Sequence, residues 1–329
     1  MFGTSSLGNL YQELPYSEKR ALVAAWFASS AEQICVDSAG KYGAGLALET
    51  LGTAMRDLGV APEQVLISNK LGWQRVPLVG NHPTFEGDVW KNIHHDAVQN
   101  ISGEGIIACW EQGNQLLGPP YKASLLSVHD PDEYLAGAIK EQDRKDRRRD
   151  ILDAYRALFE IRDRGEALAV GIGCKDWRVI RELSEDISFD WVMLAGSITV
   201  HVHPPELLQW VKELHDRGTT VINSAVFNAG FLVGSEYYDY RRVSPATDRD
   251  LFMWRESFFS VCTGHGVSPA DACIQFGLHQ PGISSIALNT TRASRVTENI
   301  ASLDAVAPAA FWEELYTRHL ISVVPEVPT

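Results

Sequence analysis

Four side chains in the first 130 residues carry the groups of acid–base chemistry: the carboxylate of Asp37, the phenol of Tyr42, the ammonium of Lys70 and the imidazole of His129. Three of them stand at the ends of apolar runs. Ile34-Cys35-Val36 leads to Asp37, Val65-Leu66-Ile67-Ser68-Asn69 to Lys70, and Ala123-Ser124-Leu125-Leu126-Ser127-Val128 to His129. Runs of this length read as buried strands, and polar residues at the C-terminal ends of successive strands are where a parallel α/β barrel builds its active site. After Asp37 the glycine-flanked turn Gly40-Lys41-Tyr42-Gly43 presents a lysine and a phenol at that edge. Taken alone, this stretch is equally compatible with a carboxylate that caps a turn and a half-buried loop aromatic.

The elements that would position these residues alternate along the chain. Phe2 to Tyr11 reads as a strand and turn whose small residues, Gly3, Ser5, Ser6 and Gly8, let a ligand come close. Ser17 is placed to cap a helix with an apolar face of Ala21, Leu22, Ala25 and Trp26. A second helix, 44–58, stops at Gly59 and is followed by the strand ending at Lys70. Residues 71–96 break the alternation, with Trp73, Pro77, Gly80, Pro83, Gly87 and Trp90 and no period. So long a loop is usually functional, and it is the candidate substrate lid. His82, His94, His95 and Asp96 lie in it without a metal-ligand spacing, so no metal site is expected.

A helix from about residue 97 to 117 precedes the strand ending at His129. The charged run 140–150 reads as the solvated face of a helix continuing to 164. Further strands at 168–173, 191–195, 220–224 and 284–288 alternate with helices at 175–184, 204–217, 248–264 and 269–279, and helices from Arg292 and Ala309 finish the chain. His201 and His203 read as loop residues. Eight strands in this order predict a (β/α)8 barrel, a TIM barrel formed as a single domain over residues 1–329. No G-x-G-x-x-G dinucleotide fingerprint occurs; Gly171-Ile172-Gly173 is only a fragment of one.

Composition narrows the partners. Hydrophobic residues make up 45% of the 329, and the formal net charge is −13. That charge excludes nucleic acid and anionic membrane as main partners, since both need a basic surface. The opening residues lack a signal-peptide pattern and no run of eighteen apolar residues occurs, so a cytoplasmic protein is expected. Five scattered cysteines form no CxxC pair, which fits reduced thiols. Oligomeric state leaves no mark in the sequence.

Asp37-Ser38-Ala39-Gly40-Lys41-Tyr42-Gly43 resembles the D-[ST]-A-x-x-Y-G motif of the aldo/keto reductases, and Lys70 and His129 fall where that family has a lysine and a histidine after strands three and four. The resemblance spans nearly the whole chain. The opening Phe-Gly-Thr-Ser-Ser-Leu-Gly and the tetrapeptide His129-Asp130-Pro131-Asp132 are most similar to the bacterial sugar dehydrogenases, the L-fucose or D-threo-aldose 1-dehydrogenase branch. It implies that Tyr42 is the acid for reduction and the base for oxidation. Its phenol, ordinarily titrating near 10, would be brought toward neutrality by Lys70, with Asp37 holding Lys70 and His129 orienting the substrate oxygen.

The resemblance also implies a nicotinamide coenzyme, NAD or NADP. Gly173 and Cys174 would meet the nicotinamide amide, although a serine or asparagine is usual where Cys174 stands. Phe227, Asn228 and Gly230 match the loop under the pyrophosphate, where Phe227 is by type equally a core residue. Asn289, Thr290, Arg295, Glu298 and Asn299 resemble the adenosine-phosphate site. NADP-preferring relatives carry a lysine where Asn289 stands, so NAD is favoured. The expected reaction is oxidation of the anomeric carbon of a free aldose to the lactone, with a small sugar or aldehyde as partner. The alternatives are an NADPH-dependent aldehyde or ketone reductase and a non-catalytic, coenzyme-binding regulatory barrel.

Overall fold

The computed structural model describes residues 1–28, 32–87, 89–239 and 241–327. In chain order its first part carries β1 (Phe2–Gly3), α1 (Tyr16–Phe27), β2 (Ile34–Ala39), α2 (Leu46–Leu58), β3 (Val65–Leu71), the hairpin of β4 (Trp73–Pro77) and β5 (His95–Gln99), and α3 (Gly103–Leu117). There follow β6 (Leu125–His129), α4 (Pro131–Ala136), α5 (Glu141–Asp163), β7 (Ala169–Cys174), α6 (Trp177–Leu183) and β8 (Trp191–Ala195). The remainder is α7 (Pro205–Asp216), β9 (Thr220–Ser224), the short hairpin β10 (Tyr237–Tyr238) and β11 (Arg241–Arg242), α8 (Arg249–His265), α9 (Pro269–Leu278), β12 (Ser285–Ala287), α10 (Ser294–Ala301) and α11 (Ala309–Thr317).

The main sheet has eight strands in the order β1-β2-β3-β6-β7-β8-β9-β12, the strand order expected of a (β/α)8 barrel. Contacts group the chain into two compact units, one of residues 1–192 with 289–297 and one of 193–288 with 298–329. In the first unit, β1, β2, β3, β6 and β7 pair in parallel. Asp37 pairs in register with Ser68, Lys70 with Ser127, and His129 with Gly173. Because alternate side chains share a face, Asp37, Ser68, Lys70, Ser127 and His129 all fall on one face of three neighbouring strands. In the second unit β9 and β12 pair in parallel, and Val226, Ile274, Ile286 and Leu288 form a buried cluster against which Phe227 packs.

Several boundaries differ from the sequence expectation, each for a local reason. Pro15, not Ser17, holds the cap position of α1, and the buried stripe is Lys19, Leu22, Val23 and Trp26. α2 stops at Gly59 in the left-handed conformation, as expected. Residues 71–96 are not structureless. Trp73–Pro77 pairs antiparallel with His95–Gln99, so Ala97 belongs to a strand, and α3 starts six residues later where the Ser102 side chain accepts from the Gly105 amide. Between the hairpin strands, Phe85, Trp90 and Ile93 are buried, and Tyr42 and Trp73 pack against them. Gly8 serves the turn that carries Tyr42: a Cβ there would lie 2.8 Å from the Tyr42 carbonyl. Among the described residues no helix is long and apolar enough to cross a membrane.

Candidate active site

β2, β3 and β6 bring Asp37, Lys70 and His129 together, all buried. The Lys70 ammonium is paired with an Asp37 carboxylate oxygen, and Ser68 donates to the other at 3.1 Å. Asp37 thus has a partner on each oxygen, which compensates the cost of burying its charge. Ser68 was not singled out in the sequence; its place two residues before Lys70, on the same face of the strand, was the available signal.

The turn after β2 lays Tyr42 across this pair. Lys70 Nζ sits 4.8 Å from the centre of the Tyr42 ring, and the His129 ring meets it edge-on at 5.6 Å. Tyr42 is half-buried. The protein crowding its phenol pushes the pKa well above 10, and the charges of Asp37 and Asp130 push it the same way while Lys41 opposes them. In the protein alone the phenol is therefore held protonated, as a donor. Burial, then the charges of Lys70 and Lys41, hold the imidazole of His129 well below its ordinary value, so the ring is neutral. Its Nε2 lies 3.5 Å from Asp130 Oδ2, and its buried Nδ1 has no hydrogen-bond partner among the described residues. A neutral imidazole with an open polar atom can receive or give one hydrogen bond to a ligand oxygen.

A second charged group adjoins the first. Lys41, whose side chain is only 4% exposed, reaches Asp130 Oδ2 at 2.7 Å, Glu86 Oε1 at 2.8 Å and Glu133 Oε2 at 2.8 Å. The sequence marks Lys41 only as the lysine of the turn; its partners lie 45 or more residues away and no local pattern announces them.

The residues considered for a coenzyme fall in separate places. In the first unit Gly173 is buried at the end of β7, and the Cys174 thiol donates to the Asp176 carbonyl at 3.3 Å; burial, then the charges of Asp132 and Asp130, push that thiol well up. Asn289 exchanges hydrogen bonds with Ser5 at 2.8 Å and Ser6 at 3.0 Å, and Thr290 accepts from the Arg292 amide. Arg295 is exposed on α10. In the second unit Ala225, Asn228, Ala229 and Gly230 all have positive φ. The amides of Asn228 and Gly230 donate within this turn, to Ala225 and Phe227, rather than standing open. The Asn228 side chain is buried and its Oδ1 has no partner among the described residues. Glu298 is exposed and Asn299 buried on α10. Asn228 Oδ1 in the second unit and His129 Nδ1 in the first are buried polar atoms without a partner among the described residues, a state compatible with hydrogen bonding to a polar coenzyme or substrate.

Among the described residues no group of three or more His, Cys, Asp or Glu side chains is arranged to hold a metal ion. Asp96, near His94 and His95 in sequence, instead accepts from the amides of Thr84 and Ala97. His201 bonds the Tyr238 hydroxyl, and His203 is fixed on both ring nitrogens by Thr199 and Ser322.

Residues 1–317 match the model of the aldo/keto reductase family. The chain is 28% identical to pyridoxal 4-dehydrogenase of Microbacterium luteolum, covering 97% of this chain and 93% of that protein. It is 25% identical to D-threo-aldose 1-dehydrogenase of a Pseudomonas species, with the same coverage of 97% and 93%. Among solved structures, an aldo-keto reductase from Bacillus halodurans in its holo form superposes with a TM-score of 0.67 at 18% identity, over 99% of this chain and 93% of that one. The glycerol dehydrogenase of Gluconobacter oxydans also gives 0.67, at 13% identity, over 100% and 94%.

Proposed function

The chain belongs to the aldo/keto reductase family and is an oxidoreductase with the (β/α)8 barrel fold of that family, and from that premise we propose that it is an NAD(P)-dependent dehydrogenase oxidising the anomeric carbon of a free aldose to the lactone. The observation that carries the reading is the Asp37–Lys70 pair beneath the Tyr42 ring with neutral His129 at its edge. In the oxidation Tyr42 first gives up its phenolic proton to solvent, and the phenolate Oη then takes the proton of the anomeric hydroxyl as the carbon loses its hydride, which restores the phenol. Lys70, held by Asp37, keeps a positive charge against the ring and offsets part of the cost of the phenolate that forms. His129, its neutral ring edge-on to Tyr42, holds the substrate oxygen by a hydrogen bond, and Trp90 and Trp73 keep water from that side of Tyr42.

The nicotinamide, when bound, accepts the hydride. Candidates to contact the coenzyme are Gly173, Cys174, Asn289, Thr290 and Arg295 in the first unit and Phe227, Asn228, Gly230, Glu298 and Asn299 in the second, with NAD preferred. The two similar proteins named as dehydrogenases, one of pyridoxal and one of D-threo-aldoses, support an oxidation of a small hydroxylated carbonyl compound. A cytoplasmic setting is part of the proposal, supported by five free thiols of which four are buried.

The test is a panel of aldoses, pyridoxal and simple aldehydes, each with NAD+, NADP+, NADH and NADPH, followed by nicotinamide absorbance. Oxidation of at least one aldose with a kcat/KM above that for every simple aldehyde is expected. Turnover confined to NADPH-driven reduction would replace the reading by a reductase. Tight coenzyme binding with no turnover across the panel would replace it by a regulatory barrel.

A further inference from the structure

Among the described residues, the Lys41–Glu86 ion pair ties the long segment between β4 and β5 to the tyrosine turn. Lys41, directly before Tyr42, has three N–H donors, and they meet three carboxylates: Asp130 and Glu133 from the turn and helix after β6, and Glu86 from the long segment. Its Nζ also stands 4.8 Å from the centre of the Trp73 ring. A buried ammonium is held this way only when its partners are themselves fixed. Glu86 is fixed in an unusual manner, with φ of 46°, a left-handed conformation that a non-glycine residue adopts only under constraint from its surroundings.

The other oxygen of Glu86 continues the chain of contacts. Glu86 Oε2 accepts from Trp90 Nε1 at 2.6 Å. Trp90 is buried, pairs with Leu10 in an isolated antiparallel bridge, and places its ring 5.7 Å from that of Tyr42 at a tilt of 34°. Contacts therefore run from Lys41 to Glu86, to Trp90 and back to Tyr42, the neighbour of Lys41 in sequence. Two backbone bonds, Tyr11 to Val89 at 2.8 Å and Lys91 to Asn9 at 3.0 Å, hold the flanks of the segment, and inside the apolar cluster with Phe85 and Ile93 the bond from Glu86 fixes the polar edge of the Trp90 ring.

We propose that Lys41 and Glu86 are positioning residues: their ion pair holds Trp90 against Tyr42 as the wall on which the substrate rests, and so sets substrate fit without touching substrate. This rests on Tyr42 being the reacting group. Loosening the wall weakens substrate binding and leaves the proton transfer in place, so the effect falls on KM rather than kcat.

Glu86→Gln, Trp90→Phe and the double variant are compared with wild type and Tyr42→Phe as holoenzymes, using the best substrate from the panel and coenzyme binding followed by fluorescence. Glu86→Gln keeps an acceptor for Trp90 but loses the ion pair; Trp90→Phe keeps an aromatic ring but loses the bond to Glu86. Each is expected to raise substrate KM about tenfold with kcat changed less than about threefold and coenzyme affinity unchanged, and the double variant to be no worse than the poorer single one. An unchanged KM in Glu86→Gln, a fall in kcat matching the rise in KM, or additive effects in the double variant would overturn the proposal. Lys41→Met leaves three carboxylates facing one another and is the variant at risk of not folding, so Glu86→Gln decides. Full turnover in Tyr42→Phe would instead remove the reading of the site on which the proposal stands; an inactive Tyr42→Phe beside an unaffected Glu86→Gln removes the wall alone.

Discussion

At the scale of single residues, the chemistry of the site depends on which groups share a face. Replacing Tyr42 by Phe keeps the ring contacts with Lys70, His129 and Trp90 and removes only the hydroxyl. Turnover should fall by roughly 10²- to 10⁴-fold while coenzyme affinity stays within about twofold, measured by steady-state kinetics and a binding titration. The proposed preference for NAD is argued at a single residue too. Asn289, proposed to face the adenosine end of the coenzyme, brings a neutral amide bonded to Ser5 and Ser6 and no cation for a 2′-phosphate. A charge-assisted hydrogen bond is worth about 1.5–3 kcal/mol, so its lack should favour NAD roughly ten- to a hundredfold in kcat/KM. Asn289→Lys should move the ratio toward NADP; a wild type already favouring NADP tenfold would assign the phosphate to another cation. Asp37, Lys70 and His129 were legible because each ends an apolar run, and a strand end is a local signal. Lys41 was visible only as part of a turn, since Glu86, Asp130 and Glu133 reach it from distant parts of the chain.

At the scale of elements, the strands were read well and the segments between them less so. Runs such as Leu125–His129 and Trp191–Ala195 are apolar enough to name themselves. The β4–β5 hairpin was missed because its strands are polar and half-exposed, and their pairing, Trp73 with Gln99, spans a long insertion. The helical period marks the buried face of a helix but not which helix packs on it. Gly52 on α2 is an instance: a Cβ built there would stand 1.8 Å from the carbonyl oxygen of Leu117, the last residue of α3. Arg56, one turn on, donates to that same carbonyl at 2.6 Å. Helix propensity alone favours Gly52→Ala by about 1 kcal/mol, but backbone that close has no flexible side chain to move aside. The steric cost, about 1–3 kcal/mol and more where backbone must shift, exceeds that gain. Urea unfolding should show a lower midpoint for Gly52→Ala, and an unchanged or higher midpoint would mean that α2 and α3 separate freely.

At the scale of the whole molecule, stability should depend on pH through groups buried in a fixed charge state. Burial lowers the pKa of His129, His201 and His203 below the ordinary 6.5. A group whose folded pKa is depressed leaves stability intact above its unfolded value and removes it as pH falls from there toward the folded value. Each such histidine then costs about 1.4 kcal/mol per pH unit within that window. Lys41 acts in the opposite direction: paired with carboxylates and titrating above its ordinary 10.5, it supports the fold below that pH and loses its contribution as pH climbs beyond it. Composition gave the net charge but not these states, which follow from burial and partners. His203 offers the cleanest case, because its Nδ1 donates to the Thr199 carbonyl at 2.9 Å and its Nε2 accepts from the Ser322 amide at 2.9 Å. Protonation puts a hydrogen on Nε2 and removes the acceptor that tethers Ser322. His203→Gln cannot titrate, so it should be less stable than wild type at pH 7.5, by about 1 kcal/mol, and lose less on going to pH 5.5. Unfolding by urea at both pH values gives the two differences; equal losses in the two proteins would show that His203 is not a source of acid sensitivity.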